Sequence, residues 1–407
     1  MDSLPTGMKP SSKQNSFIYF NTGYSFGSNA ITNGLISTYL SNGFISDDIK
    51  DKVSSNLKNM NRLGGDFNAS LGCKIHCDTL LGIKNVYYSI ELKDANHIDA
   101  GFSKDLFEVY FRGNANYGGR TADFSNFNYN LLQYRELKLG LSKDYKRDSS
   151  ATTVSVGISL VNGQNFQRIK AGNATLYTDP NGEFIDAAFN MQFNQSDSLK
   201  KNLFASNGYG LATDLSYTYR NEKKKYFISF SVEDLGFIEW NNHSSQITAD
   251  SSYHFEGIVS NDLFNFQDTI KGKSPNLDSV YVQPFLNHHV FKTYTTLLPA
   301  IFTLSAGKEL KTSIPGTNTI SLNVNYRINA NYIPMTWIEL SHESAKRTII
   351  KIDFAYGGYS TFFINAGFEK KFENGWHLSL GVSHIYEMID YMNGRGQGAF
   401  VSLSKNI

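Results

Sequence analysis

The sequence predicts an all-β fold: a closed antiparallel transmembrane β-barrel of about 14 strands, with a partly helical N-terminal segment and long loops. Three observations predict it. Apolar and polar residues alternate through most of the 407 residues, which is the period of a β-strand. Many of these runs reach ~10–13 residues, whereas soluble strands average ~5–6 and a tilted bilayer-crossing strand needs ~9–11. Their polar faces carry Asn, Ser, Thr and Gly with few charges, as expected of a lumen.

The composition excludes several other classes of protein. The chain has 38 basic and 37 acidic residues, and this balance argues against a nucleic-acid partner. No apolar stretch approaches the roughly 18 residues of a transmembrane helix, which excludes a polytopic helical membrane protein. Aromatic residues make up 14% of the chain, too many for a disordered protein. A large soluble β-sandwich or β-helix remains the alternative fold.

The chain divides into an N-terminal segment, residues 1–65, and a barrel, residues 66–407. The segment is expected to plug the barrel or to lie beneath it in the periplasm. Its first 33 residues are polar, aromatic and loop-like. The start, Met1–Pro5, lacks the basic and apolar regions of a signal peptide.

A helix is predicted over residues 46–61. Ser46 is a candidate N-cap, and Asp47 and Asp48 suit the first turn because carboxylates favour a helix N-terminus. An apolar stripe follows at helical spacing and is expected to pack within the fold: Ile49, Val53, Leu57 and Met60. Gly64-Gly65 is expected to end the helix.

After Gly65 the period changes from 3.6 to 2. The hairpin 209–237 and the run 318–332 show the alternation most clearly. The predicted strands lie near 67–76, 84–92, 131–142, 152–163, 165–178, 183–194, 209–220, 225–237, 297–310, 317–331, 335–342, 347–357, 360–371, 376–386 and 396–404. Two long segments interrupt the series, 93–130 and 241–296, and are predicted to be loops.

The alternation also assigns side chains to the two faces of the wall. One set is expected to face lipid: Tyr217, Tyr219, Ile228, Phe230, Leu322, Val324, Leu378 and Leu380. Another set is expected to face the lumen: Asp214, Ser216, Asn323, Asn325 and Arg327. Trp240, Trp337 and Trp376 lie near strand ends and fit the aromatic girdles of such barrels.

The segment 233–240 is unusual for a lipid-facing strand because it combines three carboxylates with large apolar residues. Carboxylates are costly in hydrocarbon, so the strand is expected to leave the membrane near Glu233. The candidates for a rim closure beside the 241–296 loop are Glu233, Asp234, Gly236, Phe237 and Trp240. Gly236 is expected to provide a bend or bulge.

Several motifs, in this order, carry a family resemblance: Arg112–Asn114, Tyr117–Gly119, Asp123–Phe124, Tyr134–Gly140, Gly208–Leu215, Ser231–Trp240, Phe255–Ile258 and Tyr294–Ala300. Over roughly residues 15–310 the chain resembles a large family of outer-membrane β-barrels from Bacteroidota-type bacteria, catalogued as a domain of unknown function. That family is similar in type to fatty-acid-transporter barrels and to barrels accompanying the type IX secretion system. The resemblance implies a cell outer membrane location and a cleaved signal peptide, and it implies no reaction.

No catalytic, cofactor or metal site is predicted. His243-Ser244-Ser245 and His342-Glu343-Ser344 are local Ser–His clusters, but neighbouring residues on a strand point to opposite faces. Cys73, His76 and Cys77 lie in a predicted strand and lack a fourth ligand for a metal ion.

Three functions remain open. The first is a non-enzymatic accessory or scaffold subunit of an outer-membrane complex for secretion or assembly, with other outer-membrane or periplasmic proteins as partners besides outer-membrane lipid. The second is a passive transporter of hydrophobic or small solutes. An outer-membrane hydrolase is a distant third. The partner protein and the solute are not identified by the sequence.

Overall fold

A computed structural model describes residues 16–80, 82–197, 206–256, 289–311 and 313–407. The first strands are β1 (Phe17–Ser28), β2 (Met60–Leu80), β3 (Ile83–Ser103), β4 (Arg120–Asp123), β5 (Asn128–Arg147), β6 (Ser150–Thr178), β7 (Ile185–Gln195), β8 (Gly208–Asn221) and β9 (Tyr226–Trp240). They are followed by β10 (Ser245–Phe255), β11 (His289–Phe291), β12 (Tyr294–Leu297), β13 (Ile301–Leu310), β14 (Thr317–Arg327), β15 (Ile333–Glu343), β16 (Thr348–Gly358), β17 (Phe362–Lys371), β18 (Trp376–Ser383) and β19 (Gly396–Asn406).

Fourteen strands form the closed antiparallel barrel predicted from the sequence. They are β1, β2, β3, β5, β6, β8, β9 and β13 to β19, each paired with its neighbours in that order. Closure comes from β1, which pairs with β2 on one side and with β19 on the other. The wall therefore leaves no unpaired edge, as hydrocarbon requires of a spanning sheet.

The position of β1 corrects the expectation for the N-terminal segment. Phe17–Ser28 was expected to be loop-like, yet it is the strand that closes the wall. Its outward residues, Ile18, Phe20 and Tyr24, are exposed, while Asn21, Gly23 and Ser25 line the interior. The wall therefore includes residues placed in a separate segment by the predicted boundary at residue 65.

The two ends of the barrel differ in the length of their connections. At one end, called the turn end, β1 begins and β19 ends, and the wall strands are joined by the short connections 81–82, 148–149, 222–225, 311–316, 344–347 and 372–375. At the other, called the loop end, the longer connections 29–59, 104–127 and 241–300 occur, together with 384–395.

A continuous apolar belt covers the outer face of the wall. Large side chains exposed on successive strands include Leu71, Leu92, Leu139, Leu160, Leu211, Phe230, Leu304, Leu322, Leu340, Phe354, Leu380 and Leu403. Of the residues expected to face lipid, Tyr217, Ile228, Phe230, Leu322 and Leu380 are exposed, and Tyr219, Val324 and Leu378 are partly exposed. This outer face is typical of a transmembrane barrel.

The tryptophans correct the girdle prediction. Trp376 lies on the outer face near the turn end and is 38% exposed. Trp337 lines the interior instead, and Trp240 is fully buried. Position near a strand end did not distinguish the two faces, because only the parity along the strand determines them.

Three helices pack together at the loop end: α1 (Asn33–Leu40), α2 (Asp47–Asn56) and α3 (Lys104–Arg112). Val53 of α2 and Phe107 of α3 are buried in their shared apolar cluster. The predicted helix 46–61 thus begins as expected and ends earlier, because Met60 already belongs to β2. Gly64 and Gly65 are paired strand residues rather than a helix end. A fourth helix, α4 (Ile385–Ile389), follows β18.

The remaining strands extend the wall at the loop end. β6 runs beyond the barrel, where it pairs with β4 and β7, and the sheet continues through β10 to β11. The predicted strands 165–178 and 183–194 are therefore this extension and not separate wall strands. The predicted loop 93–130 contains the end of β3, all of α3 and β4. In the predicted loop 241–296, β10, β11 and part of β12 are strands, while 257–288 lie outside the described residues.

Among the described residues, no helix is long and apolar enough to cross a membrane.

Candidate functional site

The interior of the barrel contains a chamber of about 480 Å³ toward the turn end. Residues of all fourteen wall strands line it, and most of their inward side chains are small or polar, with Ser, Gly, Asn and Thr prominent among them. Asp214, Ser216, Asn323 and Asn325, expected to face the lumen, line this chamber. Arg327 lies closer to the loop end, in a smaller cavity of about 80 Å³.

A second feature of the lumen is a network of charged side chains from β3, β5, β8 and β9. It is called the lumenal ion cluster and comprises Lys93, Glu136, Lys138, Asp214, Glu233 and Asp234. Lys93 Nζ lies 2.5 Å from Asp234 Oδ2. Lys138 Nζ lies 2.6 Å from Asp214 Oδ2 and 3.2 Å from Asp234 Oδ1. Tyr134 donates a hydrogen bond of 3.3 Å to Asp234.

A β-bulge in β9 brings two consecutive carboxylates of this cluster to the inner face. Thr213 pairs with Leu235 and Leu215 pairs with Val232, so Glu233 and Asp234 together oppose Asp214. Asp234 has φ +56°, a left-handed conformation that Asp tolerates better than most residues. Its backbone N–H donates to Asp214 Oδ1 at 2.8 Å. Glu233 lines the chamber and Asp234 is buried.

The bulge was expected at Gly236, and this expectation is wrong. Gly236 pairs in register with Ala212. A Cβ at Gly236 would overlap the carbonyl oxygen of Leu211 and the Cα of Ala212. Glycine is needed here because two strands approach closely, not because the chain bends.

Toward the loop end, apolar inward side chains pack together on one side of the lumen. This apolar plug comprises Ala95, Leu132, Tyr134, Val161, Phe166, Ala212, Ile238, Trp240 and Leu298. Trp240 stacks on Phe166 with ring centroids 5.4 Å apart, and its Nε1 donates to Thr296 Oγ1 at 2.8 Å. Of the predicted rim residues, Trp240 therefore lies inside the barrel, whereas Phe237 is 39% exposed on the outer face.

A polar network lies beside the apolar plug. Arg327 Nη1 lies 2.8 Å from Asp66 Oδ2, and His97 bridges Asp66 and Asp99 at 2.7 and 2.9 Å. Sequence reasoning identified Arg327 but missed the other members of this network. Asp66, His97 and Asp99 alternate with outward residues on β2 and β3, yet Asp66 and His97 lie 261 and 230 positions from Arg327 in the chain.

A Ser–His contact near α4 allows the hydrolase hypothesis to be examined. Ser360 Oγ lies 2.8 Å from His384 Nε2, but both side chains are buried. His384 Nδ1 has no hydrogen-bond partner among the described residues, so the ring lacks the orienting acid of a triad. Burial lowers the pKa of His384 to about 3, which makes it a poor general base at neutral pH. At the predicted cluster around His342, Nδ1 of the ring pairs with Asn318 Oδ1 at 2.9 Å.

A closed wall with an apolar belt outside and a polar chamber inside defines a β-barrel of the transmembrane class. Residues 8–378 match the model of a family of unknown function, DUF5723, and the chain belongs to this family. None of the curated proteins compared with the chain matches it.

The chain is similar to several solved structures of other proteins. The toluene transporter TodX of Pseudomonas putida has 9% identity and a TM-score of 0.43, with 98% of this chain and 91% of that chain covered. A Pseudomonas aeruginosa FadL homologue has 9% identity and a TM-score of 0.42, with 96% and 90% covered. The translocator domain of the autotransporter NalP from Neisseria meningitidis has 6% identity and a TM-score of 0.37, with 98% and 91% covered.

Proposed function

We propose that this protein is a non-enzymatic integral outer-membrane β-barrel that takes up a small polar solute into its lumen, as a passive transporter that rests closed at the loop end. The chamber carries the proposal. Polar inward side chains line the chamber toward the turn end. In the described part of the chain, the apolar plug lies in the lumen on the loop-end side of the chamber. Because outer-membrane barrels have short periplasmic turns and long external loops, the turn end would face the periplasm.

The location is tested by fractionation. The chain should be recovered with the outer membrane and should migrate differently in detergent gels before and after heating, because the closed wall resists unfolding by detergent alone. Recovery as a soluble monomer without detergent would contradict the membrane location.

Transport is tested by the swelling of proteoliposomes in isotonic solutions of small polar solutes. The purified full chain should permit entry of at least one solute faster than empty vesicles do. Vesicles that swell no faster than the empty control in any solute would overturn the transport function.

One observation favours an accessory subunit as the second candidate. Large apolar side chains are exposed on the loop-end connections: Tyr39 and Leu40 of α1, Phe44, and Ile389 of α4. An exposed apolar patch of this kind is common at sites where another protein docks. Purification in mild detergent separates the two functions, since a stoichiometric protein partner favours the subunit and its absence favours the transporter. A partner in a secretion or assembly machinery would agree with the resemblance described above.

A further inference from the structure

The lumenal ion cluster contains more negative than positive groups. It has four carboxylates, Glu136, Asp214, Glu233 and Asp234, and two ammonium groups, Lys93 and Lys138. Charges withdrawn from water are stable only when they are paired or hydrogen-bonded. The distribution of the two lysines among the four carboxylates therefore decides which groups remain available.

The two aspartates take both lysines. Asp234 accepts from Lys93 Nζ at 2.5 Å and from Lys138 Nζ at 3.2 Å. Asp214 accepts from Lys138 Nζ at 2.6 Å and from the Asp234 backbone at 2.8 Å. Both ammonium groups are thus oriented toward the aspartates.

The two glutamates are left without close partners. Glu136 is 1% exposed, and neither of its carboxylate oxygens has a hydrogen-bond partner among the described residues. Its nearest cation, Lys138 Nζ, lies 3.6 Å away. Glu233 lines the chamber, and no hydrogen bond or ion pair joins its carboxylate to another described side chain. A cation that enters the chamber would meet Glu233, whereas Glu136 is buried and does not line the chamber.

The chamber as a whole has the same excess of negative groups. Seven Asp or Glu side chains and four Lys side chains line it, members of the cluster included, whereas the whole chain carries a net charge of +1. On the far side of the lumen from the cluster, Glu339 and Asp353 are direct cross-strand partners and both face the chamber. Like charges placed opposite each other destabilise a sheet, and the neighbouring Lys351, whose ammonium group pairs with Glu369 at 2.6 Å, offsets part of that repulsion. A cleft of one sign concentrates solutes of the opposite sign.

The geometry favours an organic cation over a metal ion. In the described ranges, no group of three or more His, Cys, Asp or Glu side chains is arranged to hold a metal ion. An ammonium group needs fewer ligands, because it donates three separate hydrogen bonds and forms strong ones to one or two carboxylates.

We propose that the chamber binds small organic solutes that carry a protonated amine, and that Glu233 receives the ammonium group. This inference rests on the proposed uptake function and names its class of solute. The remaining polar side chains of the chamber would contact the rest of the solute.

Binding of three probes of similar length tests the proposal: putrescine as the cation, 1,4-butanediol as the neutral form and succinate as the anion. Equilibrium dialysis is performed on the full chain in detergent. Putrescine should bind more tightly than either of the others, and Glu233→Gln should weaken its binding by about tenfold or more, because a charge-assisted contact is lost. Glu239→Gln is the matched control, since Glu239 lies on the same strand and is exposed.

Glu136→Gln is a second control that keeps the shape of the side chain, because Glu136 belongs to the same cluster but does not line the chamber. Its putrescine binding should fall less than that of Glu233→Gln, and heat-modifiable migration shows that each variant is folded. Binding of succinate or butanediol as tight as that of putrescine would overturn the amine preference, and so would putrescine binding that Glu233→Gln leaves unaffected. Swelling assays with the same three solutes distinguish the failure of this proposal from the failure of the uptake function. If all three solutes enter equally fast, the preference for amines is wrong but uptake stands. If none enters while putrescine still binds, uptake is wrong but the amine site stands.

Discussion

The two ends of the lumen have the same wall but different contents. On β9, Ser231 faces the open chamber near the turn end, while Ile238 and Trp240 fill the lumen near the loop end. On β5, Ser142 lines the chamber, while Leu132 and Tyr134 belong to the apolar plug. On β9 the two levels are separated by the bulge at Glu233 and Asp234, and the strand pairs with β8 on both sides of it. The difference shows that the size and polarity of every second residue decide whether a barrel of this width is filled or open.

The largest expected loss of stability comes from truncating a side chain of the apolar plug. Trp240→Ala removes the stacking on Phe166 and leaves Thr296 without its indole donor. Truncation of a buried aromatic residue costs about 3–5 kcal/mol of unfolding free energy, and the conductance of the barrel in planar bilayers should rise. Unfolding by urea in lipid vesicles measures the first effect.

Trp376→Ala is the matched control, because Trp376 lies on the outer face near the turn end. Its cost should be clearly smaller, and its conductance should equal that of the parent chain. A Trp240→Ala cost no larger than that of the control would show that the plug does not stabilise the loop end.

The next effect compares the two faces of one strand. Leu322 is 53% exposed on the outer face, and its neighbour Asn323 lines the chamber. Leu322→Arg should cost roughly 2–4 kcal/mol if the residue lies at the bilayer midplane. Asn323→Arg should cost less, because the chamber offers space and nearby carboxylates. Unfolding free energies in vesicles give the order of the two costs, and the reverse order would invert the assignment of the faces.

The smallest effect concerns the close approach of β8 and β9 above the bulge. Gly236→Val forces β9 away from Leu211 and Ala212, at a cost of about 1–3 kcal/mol. The loosening should stay local, so limited proteolysis should show faster cleavage in 241–296 while the barrel remains heat-modifiable. Gly172→Val is the control, because a Cβ there meets only ordinary contacts. An unchanged cleavage pattern in Gly236→Val would remove the role of this residue in holding the loop end.

Most of the wall could be predicted from the sequence, because one face of each strand must be apolar to meet lipid. The strands β14, β16 and β19 show a strict alternation and were found for this reason. β1 was missed because Asn21, Gly23, Ser25 and Gly27 face the interior, and these small residues are also common in loops. The end of β3 was missed because Asp94 and Asn96 on its outer side are as polar as Lys93 and His97 on its inner side.

The candidate site was predicted only in part, because it depends on the register between strands. The alternation of apolar and polar residues along each strand was enough to place Asp214, Ser216 and Asn323 inside. It does not reveal that Lys93 lies beside Glu136, because these cross-strand partners are more than 40 residues apart in the chain. The contact between Gly64 and Tyr359 was also beyond prediction from the sequence. Gly64 has no side chain and so leaves room for the ring of Tyr359, but nothing in the sequence around either residue indicates this contact.

The pairing of β1 with β19 has a consequence for how the protein is made. Phe17 meets Asn406 and Gly27 meets Gly396, so the first strand finds its second partner only after the last residues have been synthesised. Contacts of such sequence separation form slowly, and a sheet with open edges invites pairing with other chains. A copy that lacks β19 would therefore leave β1 and β18 each with an unpaired edge, so the last strand decides whether the wall closes at all.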